Sequence, residues 1–298
     1  MSKIGICIDP HITDRHRCRQ DNFLETVLKK LDYVASNNDY IVIPGDLFHT
    51  CSNSNYIFYR VYKLMMKHKG KFIATPGNHD LLHNNHNALD RTTLGSLALT
   101  GALRLEFNTF TIDSAEFQIS HVIKNLDAIP VDETNNKVLL GHNYLEPTGS
   151  AKEWFTRDEL RELNYKLVFL GHDHQPHEEE MIGNSILIRM GSLTRIDTQP
   201  YNLNRKIYYY QLDSETLEYE KLEVPHKEAS EIFTEEAFKR IGKVKEDISF
   251  IKIGDVLSKF KKKQGGINSL NEKLKKIATQ QEIDYIKMLH EMNNVRYF

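Results

Sequence analysis

Cysteine is scarce in this chain: Cys7, Cys18 and Cys51 are the only three in 298 residues, and none forms a Cys-x-x-Cys pair. That excludes a disulfide framework and points to a reducing, intracellular setting. Net charge is also lacking, at -2. The balance itself argues neither for nor against a nucleic-acid partner, because a local basic stripe matters more than the total. No apolar run approaches the length of a membrane span, and no basic segment followed by an apolar stretch stands at the N-terminus. The expectation is a cytoplasmic protein without a leader and without a membrane partner. No internal repeat or low-complexity tract stands out. With 40% hydrophobic and 27% charged residues, the composition is that of an ordinary globular chain. Its length suits one large α/β domain with an appendage, or two modest domains.

What is present is one event repeated five times: an apolar run stops abruptly and hands polar groups to a loop. Lys3 to Ile8 leads to Asp9 and His11, and Tyr40 to Pro44 leads to Asp46 and His49. Lys71 to Pro76 leads to Gly77-Asn78-His79-Asp80, Lys137 to Leu140 leads to His142, and Lys166 to Leu170 leads to His172 and His174. Apolar residues at three- and four-residue steps predict helices from Asp21 to Ser36 and from about Asn53 to His68. This alternation implies a mainly parallel sheet with helices on both faces and ligands at the carboxyl ends of its strands.

From Leu103 to Val122 the segments shorten and alternate, predicting strands of a second sheet at Leu103 to Phe107, Thr109 to Ile112 and Glu116 to Val122. A helix is expected near Thr156 to Leu163, with strands at Ser185 to Met190, Lys206 to Leu212 and Leu217 to Val224. The fold class read from this is α/β, two sheets packed face to face as a sandwich flanked by helices. Near Pro225 the composition turns toward Lys and Glu. Residues 1–225 are therefore read as one domain and 226–298 as a small α-rich extension, with helices at Phe233 to Ile241, Gly254 to Lys263 and Ser269 to Met292.

Asp9, His11, Asp46, Asn78, His142, His172 and His174 offer carboxylate, amide and imidazole donors and no thiolate. Such a set suits borderline or hard divalent ions such as Mn²⁺, Fe²⁺ or Zn²⁺. Seven donors exceed what one catalytic ion needs, whereas two ions sharing a bridging carboxylate would use them and leave positions open for water and substrate.

In order, Asp9-x-His11, Gly45-Asp46, Gly77-Asn78-His79-Asp80, Gly141-His142 and Gly171-His172-Asp173-His174 resemble the five motifs of the calcineurin-like metallophosphoesterases. The resemblance implies one ion on Asp9, His11 and His174, a second on Asn78, His142 and His172, and Asp46 between them. It also implies that His79 faces the scissile phosphate, where it stabilises the transition state or protonates the leaving group, with Asp80 orienting its ring. An ion pair of this kind lowers the pKa of a bound water to about 7, so no protein nucleophile is needed.

Gly45-Asp46-Leu47-Phe48-His49 is similar to the loop of SbcD-type DNA repair nucleases, in which the extra histidine positions the DNA backbone. Gly191-Ser192-Leu193-Thr194-Arg195 resembles a later segment of the same family. This implies a Mn²⁺-dependent DNA exonuclease or endonuclease of repair, recombination or replication, paired with an SbcC-type SMC-like ATPase. A homodimer is a further partner choice. Only 226–298 remains for both a DNA cap and an ATPase-binding segment, as in a reduced, phage-encoded version.

Blander readings stand beside these. The fold could serve a small-molecule or phosphoprotein phosphoesterase, or a non-catalytic interaction module. His49 could be a surface histidine, while His83 and His86 read as solvated or capping residues and His16, His121 and His177 as ordinary ones. Arg195, Lys259, Lys261, Lys262 and Lys263 are candidate DNA contacts, although lysines also complement a helix end.

Overall fold

The computed structural model describes residues 1–14, 16–145 and 154–240, and the fold below is that of the unit Met1–Thr234. In chain order its strands are β1 (Lys3–Ile6), β2 (Tyr40–Pro44), β3 (Phe72–Thr75), β4 (Arg104–Leu105), β5 (Thr109–Ile112), β6 (Ala115–Ser120) and β7 (Val138–Gly141). They continue as β8 (Tyr144–Leu145), β9 (Trp154–Phe155), β10 (Leu167–Leu170), β11 (Glu180–Ile182), β12 (Ser185–Ile188), β13 (Tyr208–Asp213) and β14 (Tyr219–Glu223). The α-helices of this unit are α1 (Phe23–Asn37), α2 (Asn55–Lys67), α3 (Thr93–Leu99), α4 (Arg157–Leu163), α5 (Tyr201–Asn204) and α6 (Ala229–Ile232).

Two mixed six-stranded sheets form the body, in the orders β14-β13-β1-β2-β3-β4 and β11-β12-β10-β7-β6-β5. β1 to β4 run parallel in the first sheet, and β6, β7, β10 and β12 in the second. The antiparallel strands are added at the flanks. Within a parallel group all carboxyl ends share one edge, so the five polar loops emerge together.

Period-two alternation separates two cores. Val138, Leu140, Leu167 and Phe169 join Ile4, Ile6 and Val42 in the large core between the sheets. Leu139, Val168 and Leu170 point the other way and pack with Leu160 and Leu163 of α4. Burial on both faces explains why β7 and β10 read as unbroken apolar runs. The helices start where local chemistry dictates. The Asn22 side chain accepts from Glu25 N–H, the Ser54 hydroxyl accepts from Ile57 N–H, and Thr156 with Glu159 forms a capping box.

Three expectations need correction. The mainly parallel sheet expected to carry helices on both faces instead has its inner face covered by the second sheet, with α1 on the outer one. The Leu103 to Phe107 segment belongs to the first sheet, where Arg104 and Leu105 pair parallel with Ile73 and Ala74. A two-residue strand carries too little pattern to reveal its partner. Phe233 is not helical: it bridges Arg19, while Gln20 N–H donates to Ile232 and Thr234 N–H to Cys18, so the unit runs past Pro225 and the helix expected from Phe233 starts instead at Glu235. The helices expected over 254–263 and 269–292, and Lys259, Lys261, Lys262 and Lys263, lie outside the described residues. Among those described, no helix is long and apolar enough to cross a membrane.

Phe169 is fully buried between the sheets. Phe169→Ala should therefore cost about 3–5 kcal/mol in a urea titration, and a loss below about 1 kcal/mol would contradict its place in that core.

Candidate metal centre

The polar loops are built around unusual backbone. Asp9 (φ 51°), His11 (φ 49°), Asp46 (φ 49°) and His172 (φ 75°) all occupy the left-handed region, which costs roughly 1–2 kcal/mol for each L-residue. Such strain persists only where surrounding contacts impose it, and it clusters at functional sites. Here the contacts are explicit. His11 N–H donates to Asp46 O at 3.0 Å, Ile12 N–H to Leu47 O at 2.9 Å and His49 N–H to Ile12 O at 3.1 Å, zipping the first two loops together. His172 N–H donates to Asp9 Oδ2 at 2.9 Å and ties the second sheet to the first. Gly77 is fixed by proximity, since a Cβ there would lie 2.1 Å from Asp46 Oδ1.

Asp46 lies at the middle. Its Oδ1 accepts from His79 N–H at 2.9 Å. Its buried Oδ2 has no hydrogen-bond partner and lies 3.5 Å from His11 Nε2 and 3.2 Å from His142 Nε2. On one side His11 Nε2 and His174 Nε2 approach to 2.9 Å, with Asp9 in the same cluster. On the other, His142 Nε2 lies 3.0 Å from Asn78 Oδ1, with His172 alongside. All seven expected donors are thus gathered into two groups that meet at Asp46.

The electrostatics suit cation capture. Burial drives His11 well below the usual imidazole range, takes His172 down to about 3 with His142 adding to the effect, and takes His174 to about 4. These rings therefore present lone pairs. Burial would raise Asp46, but His142 and then His11 hold it below the carboxylate range. Burial pushes Asp9 up to about 8, with Asp46 adding to the rise. For His142, burial is overcome by Asp46 and Asp9, which lift it to about 9. Apart from the approach of the His142 ring at 3.4 and 3.2 Å, the buried Asp9 Oδ1 and Asp46 Oδ2 have no hydrogen-bond partner, a heavy desolvation cost that divalent ions would offset. The donor set therefore fits two such ions.

His79 Nδ1 lies 2.7 Å from the carbonyl oxygen of His49, to which it donates. That fixes the tautomer and leaves Nε2 on the opposite side of the ring. The His49 ring stacks on His79 with centroids 5.5 Å apart and stands 5.6 Å from His11. Asp80 does not orient His79 as expected. It is fully buried and accepts from Leu47, Phe48 and Gly77 N–H at 3.2, 2.9 and 3.0 Å. Its carboxylate clamps the Asp46 loop to the Gly77 loop, and burial with nearby Asp46 pushes it up to about 7.

Arg195 is also corrected as a DNA contact. Its side chain is 2% exposed and donates to the carbonyls of Lys227 and Arg205, so no phosphate can reach it. Two neighbours escaped the sequence reading. His16 lies 6.0 Å from His49, and the Tyr144 ring 4.1 Å from His172. Tyr144 follows His142 by two residues and was within reach of motif reasoning; His16 carried no signal.

Metal loading should displace protons, because Asp9 and His142 hold theirs up to about 8 and 9. Divalent-ion affinity should rise from pH 6 to pH 8. Calorimetry in two buffers of different ionisation enthalpy should show at least one proton released near pH 6.5, and equal heats would contradict it.

The family profile described as Calcineurin-like phosphoesterase matches residues 3–176, more than half of the chain. Two solved structures from Thermus thermophilus are similar to it. TT1561 has a TM-score of 0.47 at 16% identity, covering 75% of this chain and 99% of its own. A hypothetical protein has a TM-score of 0.44 at 10% identity, covering 75% and 100%. Among curated proteins nothing matches. The profile runs through every loop from Asp9 to His174, and on that ground the chain belongs to the calcineurin-like phosphoesterases, a family of metal-dependent hydrolases.

Proposed function

We propose that this protein is a metal-dependent DNA nuclease, the nuclease subunit of a complex with an SbcC-type ATPase. The observation that carries the reading is the stacked pair His49 and His79 beside the two donor groups. Phosphoester hydrolysis itself needs the donor groups and His79. A second imidazole in the Gly45–His49 loop is the feature shared with SbcD-type nucleases.

In this reading Asp9, His11 and His174 would hold one divalent ion and Asn78, His142 and His172 the other, Asp46 would serve both, and Mn²⁺ would be the favoured metal. Two such ions supply an acidified water and Lewis-acid polarisation of a phosphoryl oxygen. The protein residues do the rest. The Pro44 carbonyl, 3.2 Å from His142 Nδ1, accepts that proton and turns Nε2 toward Asp46 and Asn78. The His49 carbonyl likewise commits the Nδ1 proton of His79 and leaves Nε2 for the substrate, where the imidazolium form gives its Nε2 proton to a phosphate oxygen or the leaving alkoxide and is left as the neutral ring. His49, stacked against that ring, contacts the adjoining backbone phosphate. DNA, the ATPase subunit and a second copy of the chain are the partners this reading names.

Two measurements test it. Duplex DNA, single-stranded DNA, a cyclic nucleotide and an aryl phosphate should be assayed side by side with Mn²⁺. DNA cleavage is expected, and turnover of the small substrates alone would remove the nuclease reading in favour of a small-molecule phosphoesterase. His79→Ser should keep its bound metal and lose about 10²-fold or more in turnover, so unchanged turnover would refute the role given to Nε2.

A further inference from the structure

Against one half of the centre lies a group of basic residues that the chemistry above does not use. The loop Gly191–Arg195 touches both segments that supply Asp9, His11 and His174. Leu193 N–H donates to Ile8 O at 2.7 Å, the Thr194 hydroxyl to Pro10 O at 3.2 Å and Ser192 N–H to His174 O at 3.3 Å. Gly191 lies so close that a Cβ there would come within 2.7 Å of His174 O.

Three consecutive carbonyls of this loop are each met by a different basic side chain. Lys30 Nζ, from α1, donates to Leu193 O at 2.8 Å. Arg205 Nη2 donates to Thr194 O at 2.7 Å and to the Ser192 hydroxyl at 3.0 Å. Arg19 Nη1 donates to Arg195 O at 2.7 Å while its other nitrogens grip Asp21. Lys30 is 4% exposed, and the carbonyl of Leu193 is its hydrogen-bond partner. Burial, with Arg205, Arg19 and Arg195 facing it and Asp21 the opposing charge, drives Lys30 well below the usual lysine range. Amine or ammonium, its N–H still donates. The desolvation of so buried a lysine is offset by the carbonyl it holds.

We infer that Lys30, Arg19 and Arg205 are positioning residues: through the three loop carbonyls they set the placement of Asp9, His11 and His174, and so the affinity of one half of the metal centre. Asn78 and His142 sit on loops this brace does not touch, whereas His172 shares the loop of His174. The brace therefore bears on all three donors proper to one ion and, through the shared loop, on a single donor of the other. The inference rests on the two-ion reading of the site.

The test is calorimetric titration of metal-free protein with Mn²⁺, comparing wild type, Lys30→Met, Lys30→Arg and Val61→Ala. Val61 is a fully buried core residue of α2 and controls for general loss of stability. Lys30→Met is expected to weaken one of two Mn²⁺ sites at least tenfold and the other by less. Lys30→Arg should recover part of that loss, and Val61→Ala should retain both sites. If Lys30→Met does not fold, Arg205→Met is measured in its place with the same expectation. Two unchanged sites in the methionine variant, or equal weakening in Val61→Ala, overturns the brace. Fewer than two ions in the wild type overturns the two-ion reading instead.

Discussion

Everything in this molecule is arranged around carboxylate and imidazole lone pairs that converge on one buried carboxylate, Asp46. Apart from the approach of the His142 ring, Asp46 Oδ2 and Asp9 Oδ1 are buried without a hydrogen-bond partner, and two imidazole nitrogens face each other at 2.9 Å. In an ordinary interior this would be a fault, since each unpaired buried acceptor costs free energy on the order of 1–3 kcal/mol. The apolar layer between the sheets raises the electrostatic stakes, because the low dielectric that makes unpaired acceptors expensive also makes cation capture strong. The fold tolerates the arrangement because its large core supplies stability from the shared apolar layer between the sheets.

Holding such a set together takes more than packing. Left-handed backbone at four donor-bearing positions turns side chains back toward one point. Asp80 clasps three amides of two loops, and the Gly191–Arg195 loop fastens a third loop to a fourth. The loops are thus rigid by hydrogen bonding. This is what preorganisation requires of groups that must not relax when charge develops on a substrate.

Much of this was legible in the sequence. The five strand ends, the two-sheet sandwich and the gathering of Asp9, His11, Asp46, Asn78, His142, His172 and His174 all follow from apolar runs and the residues just after them. What escaped was whatever depends on direction. Asp80 stands beside His79 in the chain, yet its carboxylate turns toward Leu47 and Phe48, because neighbouring side chains on a turn diverge. Arg195 has the composition of a phosphate contact and the position of an internal tie, and only burial separates the two. His16 has no motif and comes beside His49 through tertiary packing alone. The two-residue β4 is too short for a pattern to fix its sheet.

The bond from His172 N–H to Asp9 Oδ2 spans 163 positions of chain. It joins one sheet to the other, as does every pairing of Asp9, His11, Asp46 or Asn78 with His142, His172 or His174. Neither sheet alone presents more than part of the set. Because contacts of such sequence separation form only after their loops have closed, the centre is complete only in the docked sandwich. A nascent chain that has delivered only β1 to β4 holds an unfinished centre, so the full donor set exists only once the second sheet has formed and docked.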